Sequence, residues 1–124
     1  MTVLPGCILY IDDNADSRRL VQRVLASLGY DVQVAPDGRS GLQMAESLNP
    51  SVVLMDMNLP DMDGFTIATQ LRARPEFAHV KLIALTAADV TERERALAAG
   101  CDLFMEKPLD LDRFMWYVAK WTGN

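Results

Sequence analysis

Cysteine is scarce in this 124-residue chain: Cys7 and Cys101 stand alone, without the paired spacing of a zinc site or the density of a disulfide framework. Both are expected to be small core residues in a reducing cytosol. Histidine is scarcer still, with His79 the only one. It falls in an expected loop before the fourth apolar run, so a solvated loop residue is predicted. No apolar stretch approaches the ~20 residues that would span a bilayer, which predicts a soluble chain. The opening Leu4-Pro5-Gly6-Cys7 looks like a lipoprotein cleavage box only by chance, because it has neither a basic segment nor room for an apolar one before it. Basic charge is also short: 12 Lys and Arg against 17 Asp and Glu leave a net charge of -5. That balance argues against a nucleic-acid or anionic-membrane partner and fits a protein partner with a basic or mixed surface.

What the chain does have is five short apolar runs, four of which end on reactive residues. Ile8-Leu9-Tyr10-Ile11 leads into Asp12-Asp13, Val52-Val53-Leu54-Met55 into Asp56, Leu82-Ile83-Ala84-Leu85 into Thr86, and Leu103-Phe104-Met105-Glu106 into Lys107-Pro108. The remaining run is the short alternating stretch around Val32 and Val34. Between the runs lie segments of helical spacing. Leu20, Val21, Val24, Leu25 and Leu28 share one face before Gly29, and Leu42, Ala45 and Leu48 follow the Asp37-Gly38 turn and end at Asn49-Pro50. Phe65, Ile67, Ala68 and Leu71 mark a third helix after Gly64. Thr91 with Glu94 reads as a capping box for a fourth helix ending at Gly100, and Asp110 as the cap of a fifth bearing Leu111, Phe114, Val118 and Trp121.

Continuous apolar strands alternating with helices imply a parallel sheet covered on both faces. The expected fold is an α/β, flavodoxin-like (βα)5 three-layer sandwich with strand order 2-1-3-4-5. It would form one domain over residues 1–124, with no room for an output domain. Open α/β sheets place their sites beyond the carboxyl ends of the strands, so this order gathers Asp12, Asp13 and Asp56 at the switch point.

Three carboxylates in one crevice repel. At about 4 Å, two like charges cost roughly 4 kcal/mol at an effective dielectric of about 20. A hard divalent cation relieves the repulsion, which makes Asp12, Asp13 and Asp56 a candidate Mg²⁺ site; the plainer alternative is that the first two merely cap the first helix. Lys107 supplies a cation and Thr86 a hydroxyl donor, completing a pocket in which an Asp56 oxygen could attack phosphorus in line.

The ordered set Asp12-Asp13, Asp56, Leu59-Pro60-Asp61-Met62-Asp63-Gly64, Thr86-Ala87 and Lys107-Pro108 resembles the receiver domain of two-component response regulators, of the single-domain chemotaxis or sporulation type, over nearly the whole chain. The resemblance implies that Asp56 is the phosphoacceptor, that Asp13 and Asp56 ligate Mg²⁺ directly with Asp12 acting through water, and that Asn58 offers its backbone carbonyl. Thr86 and Lys107 would contact the phosphoryl group, and Lys107-Pro108 would be cis. Phe104 holds the family's aromatic switch position, where many members have Tyr, so here it has no hydroxyl to offer.

The implied role is a cytoplasmic phosphorelay switch, not an enzyme beyond assisting its own phosphorylation and dephosphorylation. The donor would be a histidine kinase or histidine phosphotransfer protein, recognised through variable surface positions such as Asp16, Ser17, Arg18, Gln22 and Arg23 on the first helix. The output would be a downstream protein or a homodimer, met by a surface that includes Met115 and Trp116. Met55, Met57 and Met62 are expected to pack rather than to ligate.

Other readings remain. A haloacid-dehalogenase-like phosphatase would need a second Asp two positions after its nucleophile, where this chain has Asn58. A flavodoxin would need a phosphate loop where Asp12-Asp13 stand. A receiver-like interaction module that is never phosphorylated would have no need of the intact acidic set, Thr86 and Lys107.

Overall fold

The computed structural model describes residues 7–87 and 90–121. Its elements follow in the order β1 (Ile8–Ile11), α1 (Ala15–Ser27), β2 (Val32–Ala35), α2 (Gly38–Leu48), β3 (Val52–Asp56), α3 (Gly64–Arg72), a 3-10 turn Pro75–Phe77, β4 (Lys81–Thr86), α4 (Val90–Ala98), β5 (Leu103–Glu106) and α5 (Leu111–Trp121). All strand pairings are parallel, and the sheet order is β2-β1-β3-β4-β5, as expected from the alternation.

Side-chain alternation divides the strands between two cores. Leu9, Ile11, Val53, Met55, Leu82 and Ala84 face α2, α3 and α4, whereas Ile8, Tyr10, Val52, Leu54, Ile83 and Leu85 face α1 and α5 through Val21, Leu25, Phe114 and Val118. Because both faces are covered, the strands are continuous apolar runs rather than alternating ones. Cys7 and Cys101 are buried and free, as expected. Burial pushes the Cys7 thiol up to about 11 and the Cys101 thiol up to about 12, so neither is a reactive thiolate near neutral pH. His79 is exposed, beyond the unanticipated 3-10 turn.

Helix ends follow local chemistry. Gly29, with φ of 91°, follows α1; Asn49 closes α2 in the left-handed conformation; and the Asp110 carboxylate accepts from the Arg113 N–H at the start of α5. Two expectations need correction. The fourth helix begins at Val90, so Thr91 lies inside its first turn and is not its cap; residues 88 and 89 lie outside the described residues. On α1 only Val21 and Leu25 are buried, while Leu20 and Leu28 are 55% and 57% exposed. The stripe that packs on the sheet is narrower than the apolar face of the helix. On α5, Phe114 and Val118 are buried and Trp121 is half-buried.

Candidate functional site

Four strands deliver the polar residues to one edge. The register pairs Ile11 with Met55, Asp56 with Leu85, and Thr86 with Glu106, so Asp12, Asp56, Thr86 and Lys107 emerge side by side at the carboxyl ends of β1, β3, β4 and β5. Asp12, Asp56 and Thr86 are the buried polar residues among those described. Carboxylate oxygens of Asp12, Asp13 and Asp56 all lie within 4.8 Å of one another, at a cleft of about 560 Å³ that Lys107 and Pro108 also line.

The sequence alternative in which the two acids simply cap the helix does not hold, because Asn14 is the cap of α1 and accepts from the Ser17 N–H at 2.9 Å. Asp12 is instead held on both oxygens. The Asn14 N–H donates to Oδ1 at 2.8 Å, and the Tyr10 hydroxyl donates to Oδ2. Tyr10 is fully buried, and burial, followed by this bond to Asp12, pushes its phenol well above the ordinary value, so it remains a protonated donor.

Asp56 is held likewise. The Asn58 N–H donates to Oδ1 at 2.9 Å and Lys107 Nζ donates to Oδ2 at 2.8 Å, the lysine being partly exposed and the carboxylate buried. Asp13 is exposed and has no hydrogen-bond partner among the described residues. Two shielded carboxylates with a third open to solvent form an oxygen donor set suited to a hard divalent cation that keeps several waters.

The β3–α3 loop is fixed independently. The Gly64 N–H donates to Met57 O at 3.1 Å, Asn58 and Asp63 form an antiparallel bridge, and Asp63 caps α3. A Cβ on Gly64 would lie 2.9 Å from the Met57 Cα, so the loop closes this tightly only around glycine. Asp61 accepts from the N–H groups of Arg39 and Gly38 at 2.8 Å each, tying the loop to the start of α2 and holding its carboxyl below the usual carboxylate range. The Lys107-Pro108 bond is cis, as the resemblance implied.

Thr86 stands at the end of β4, as expected. Its hydroxyl donates to the Glu92 carboxylate on α4. Phe104 is half-buried and lines a separate cleft beside Leu97 and Tyr117, while Trp116 is 58% exposed with Lys120 over its ring. Met115 is half-buried against the α5 side of the core.

Sequence reasoning missed Tyr10 and Glu92. Tyr10 was open to discovery, because residues two apart on a strand share a face and its hydroxyl therefore points the way of Asp12. Glu92 follows Thr86 by six residues across a loop and carries no periodic signal.

The family model for the response regulator receiver domain matches residues 8–119. The chain belongs to that family. Among curated relatives, this receiver is 27% identical over 122 residues to the polar-differentiation response regulator DivK of Brucella anthropi, covering 98% of this chain and 99% of DivK. It is 35% identical over 109 residues to the DNA-binding transcriptional regulator RpaA of Synechocystis, covering 87% of this chain but only 45% of RpaA. Among solved structures, the receiver domain of the sensor histidine kinase PA1611 from Pseudomonas aeruginosa, with magnesium coordinated in its active-site cleft, superposes with a TM-score of 0.85 at 32% identity, covering 96% of this chain and 98% of that one.

Proposed function

We propose that this receiver is a phosphorylatable switch of a two-component phosphorelay, with Asp56 the phosphoacceptor. The observation that carries the reading is the placement of a buried carboxylate, Asp56, 2.8 Å from Lys107 and within 4.8 Å of two further carboxylates at the open edge of the sheet. The donor is a phosphohistidine, on a histidine kinase or histidine phosphotransfer protein. An Asp56 oxygen forms the new P–O bond, the donor's P–N bond breaks, and its electron pair returns to the protonated imidazole, leaving an acyl phosphate on Asp56.

Asp12, Asp13, Asp56 and the Asn58 carbonyl would hold Mg²⁺, a role supported by the oxygen donor set here and by the magnesium in the PA1611 receiver. When bound, the cation supplies positive charge that offsets the repulsion between acceptor carboxylate and phosphoryl oxygens. Lys107 offers its ammonium to the arriving phosphoryl oxygens, and Thr86 its hydroxyl. Asn58 and Lys107 orient Asp56 beforehand through their bonds to its two oxygens.

Output follows from Thr86 leaving its resting place and Phe104 repacking, which alters the face of α4, β5 and α5 where Met115 and Trp116 stand. A downstream protein or a second copy of the chain would read that face in the cytoplasm.

Acetyl phosphate with Mg²⁺ should add one phosphate by intact mass, and Asp56→Asn should abolish the addition. A phosphate on the Asn variant would reject Asp56 as the acceptor.

A further inference from the structure

Thr86 is fully buried, yet the fate of its single hydroxyl proton is decided outside the acid cluster. Two acceptors are within reach. The Ala87 carbonyl lies at 3.3 Å, a long contact between neutral groups, whereas the Glu92 carboxylate accepts in a charge-assisted bond, which is the stronger kind. The backbone of Thr86 has no comparable choice, because it pairs within the sheet and its carbonyl accepts from the Lys107 N–H at 2.8 Å. Glu92 belongs to the first turn of α4, where the free amides of the helix end also favour an anion. One carboxylate therefore joins the end of β4 to the start of α4 through a proton that the acceptor site also requires.

We propose that Glu92 is a positioning residue: it withholds the Thr86 hydroxyl from the phosphoryl site, so that phosphorylation of Asp56 must break the Thr86–Glu92 bond and release the first turn of α4. The inference rests on the reading that Thr86 binds the phosphoryl group. One hydroxyl cannot donate fully to two acceptors, so the two bonds exclude each other. The exclusion gives α4 a direct stake in the state of Asp56 before any repacking of Phe104, and it makes resting Thr86 an incomplete part of the site.

The test is a double-mutant cycle read as the rate of phosphorylation by acetyl phosphate in Mg²⁺. Glu92→Ala should raise the rate by about tenfold, the net worth of one charge-assisted hydrogen bond. Glu92→Gln, which keeps a neutral acceptor and the shape of the turn, should raise it less. In a Thr86→Val background, the Glu92 substitutions should change nothing. An unaltered rate in Glu92→Ala and Glu92→Gln, both folded by their melting curves, would overturn the proposal. So would an equal acceleration with and without the Thr86 hydroxyl, which would mean that Glu92 merely repels the anionic donor. If Thr86→Val alone leaves the rate of Asp56 labelling untouched, the underlying reading of Thr86 fails, and the proposal fails with it.

Discussion

Two polar clusters occupy opposite edges of the same sheet, and they are built on different rules. At the amino edge, Arg72 donates to Gly100 O at 2.8 Å, to Phe77 O at 3.0 Å and to Asp102 Oδ2 at 2.5 Å, and that same Asp102 oxygen accepts from the Leu82 N–H at 2.9 Å. Gly100 has φ of 108°, and a Cβ there would lie 2.4 Å from the Arg72 Cγ, so the aliphatic stem of Arg72 packs against bare backbone. One cation, one anion and two carbonyls satisfy each other there.

At the carboxyl edge, three carboxylates face one lysine, and the donors that hold them, Tyr10, Lys107 and the amides of Asn14 and Asn58, stand where a cation or a phosphoryl group would compete for the same oxygens. Closed pairing locks elements together; an excess of one charge leaves bonds that can be exchanged. The same chemistry of carboxylate and cation thus closes on itself at one edge and stays open to exchange at the other, as the proposed switch requires.

Breaking the amino-edge cluster should have the larger effect on folding. Arg72→Ala takes one donor from each of two carbonyls and the cation from a partly shielded Asp102 that keeps the Leu82 N–H, and should cost about 2 kcal/mol, seen as a lower denaturant midpoint. Phosphorylation of the folded variant by acetyl phosphate should proceed as in the parent chain. A matching loss of phosphorylation would mean that the two edges are not separable.

The carboxyl edge should respond with the opposite sign. Asp13 is exposed and has no internal donor, so Asp13→Asn should stabilise the metal-free protein, by less than about 1 kcal/mol given solvent screening. It should also reduce the rise in melting temperature that Mg²⁺ produces in the parent chain by binding the folded state. A melting temperature that stays flat across a Mg²⁺ titration of the parent chain would remove the case for a cation site. Asp12→Asn, which by charge alone should act like Asp13→Asn, is a poorer probe, since the Tyr10 hydroxyl and the Asn14 N–H both depend on the Asp12 carboxylate.

The order of elements was legible because strands buried on both faces leave unbroken apolar runs, and because turn residues such as Asp37-Gly38 and Asn49-Pro50 sit at the breaks. The gathering of Asp12, Asp13, Asp56 and Lys107 followed from the parallel order alone. What stayed hidden depends on how loops are set in space. The start of α4 ahead of Thr91, the exposure of Leu20 and Leu28, the reach of Asp61 to α2 and the bond from Thr86 to Glu92 are all decided by tertiary placement, which no local period encodes.

The contrast between a locked edge and an exchangeable one is open to a single measurement: amide hydrogen exchange of the chain with and without acetyl phosphate and Mg²⁺. Exchange should change at Met57, Asn58, Ala87 and the first turn of α4, and remain as it was at Leu82, Gly100 and Asp102, whose amides belong to the Arg72 edge. No change at the carboxyl edge, or a change centred on the Arg72 cluster, would contradict the account.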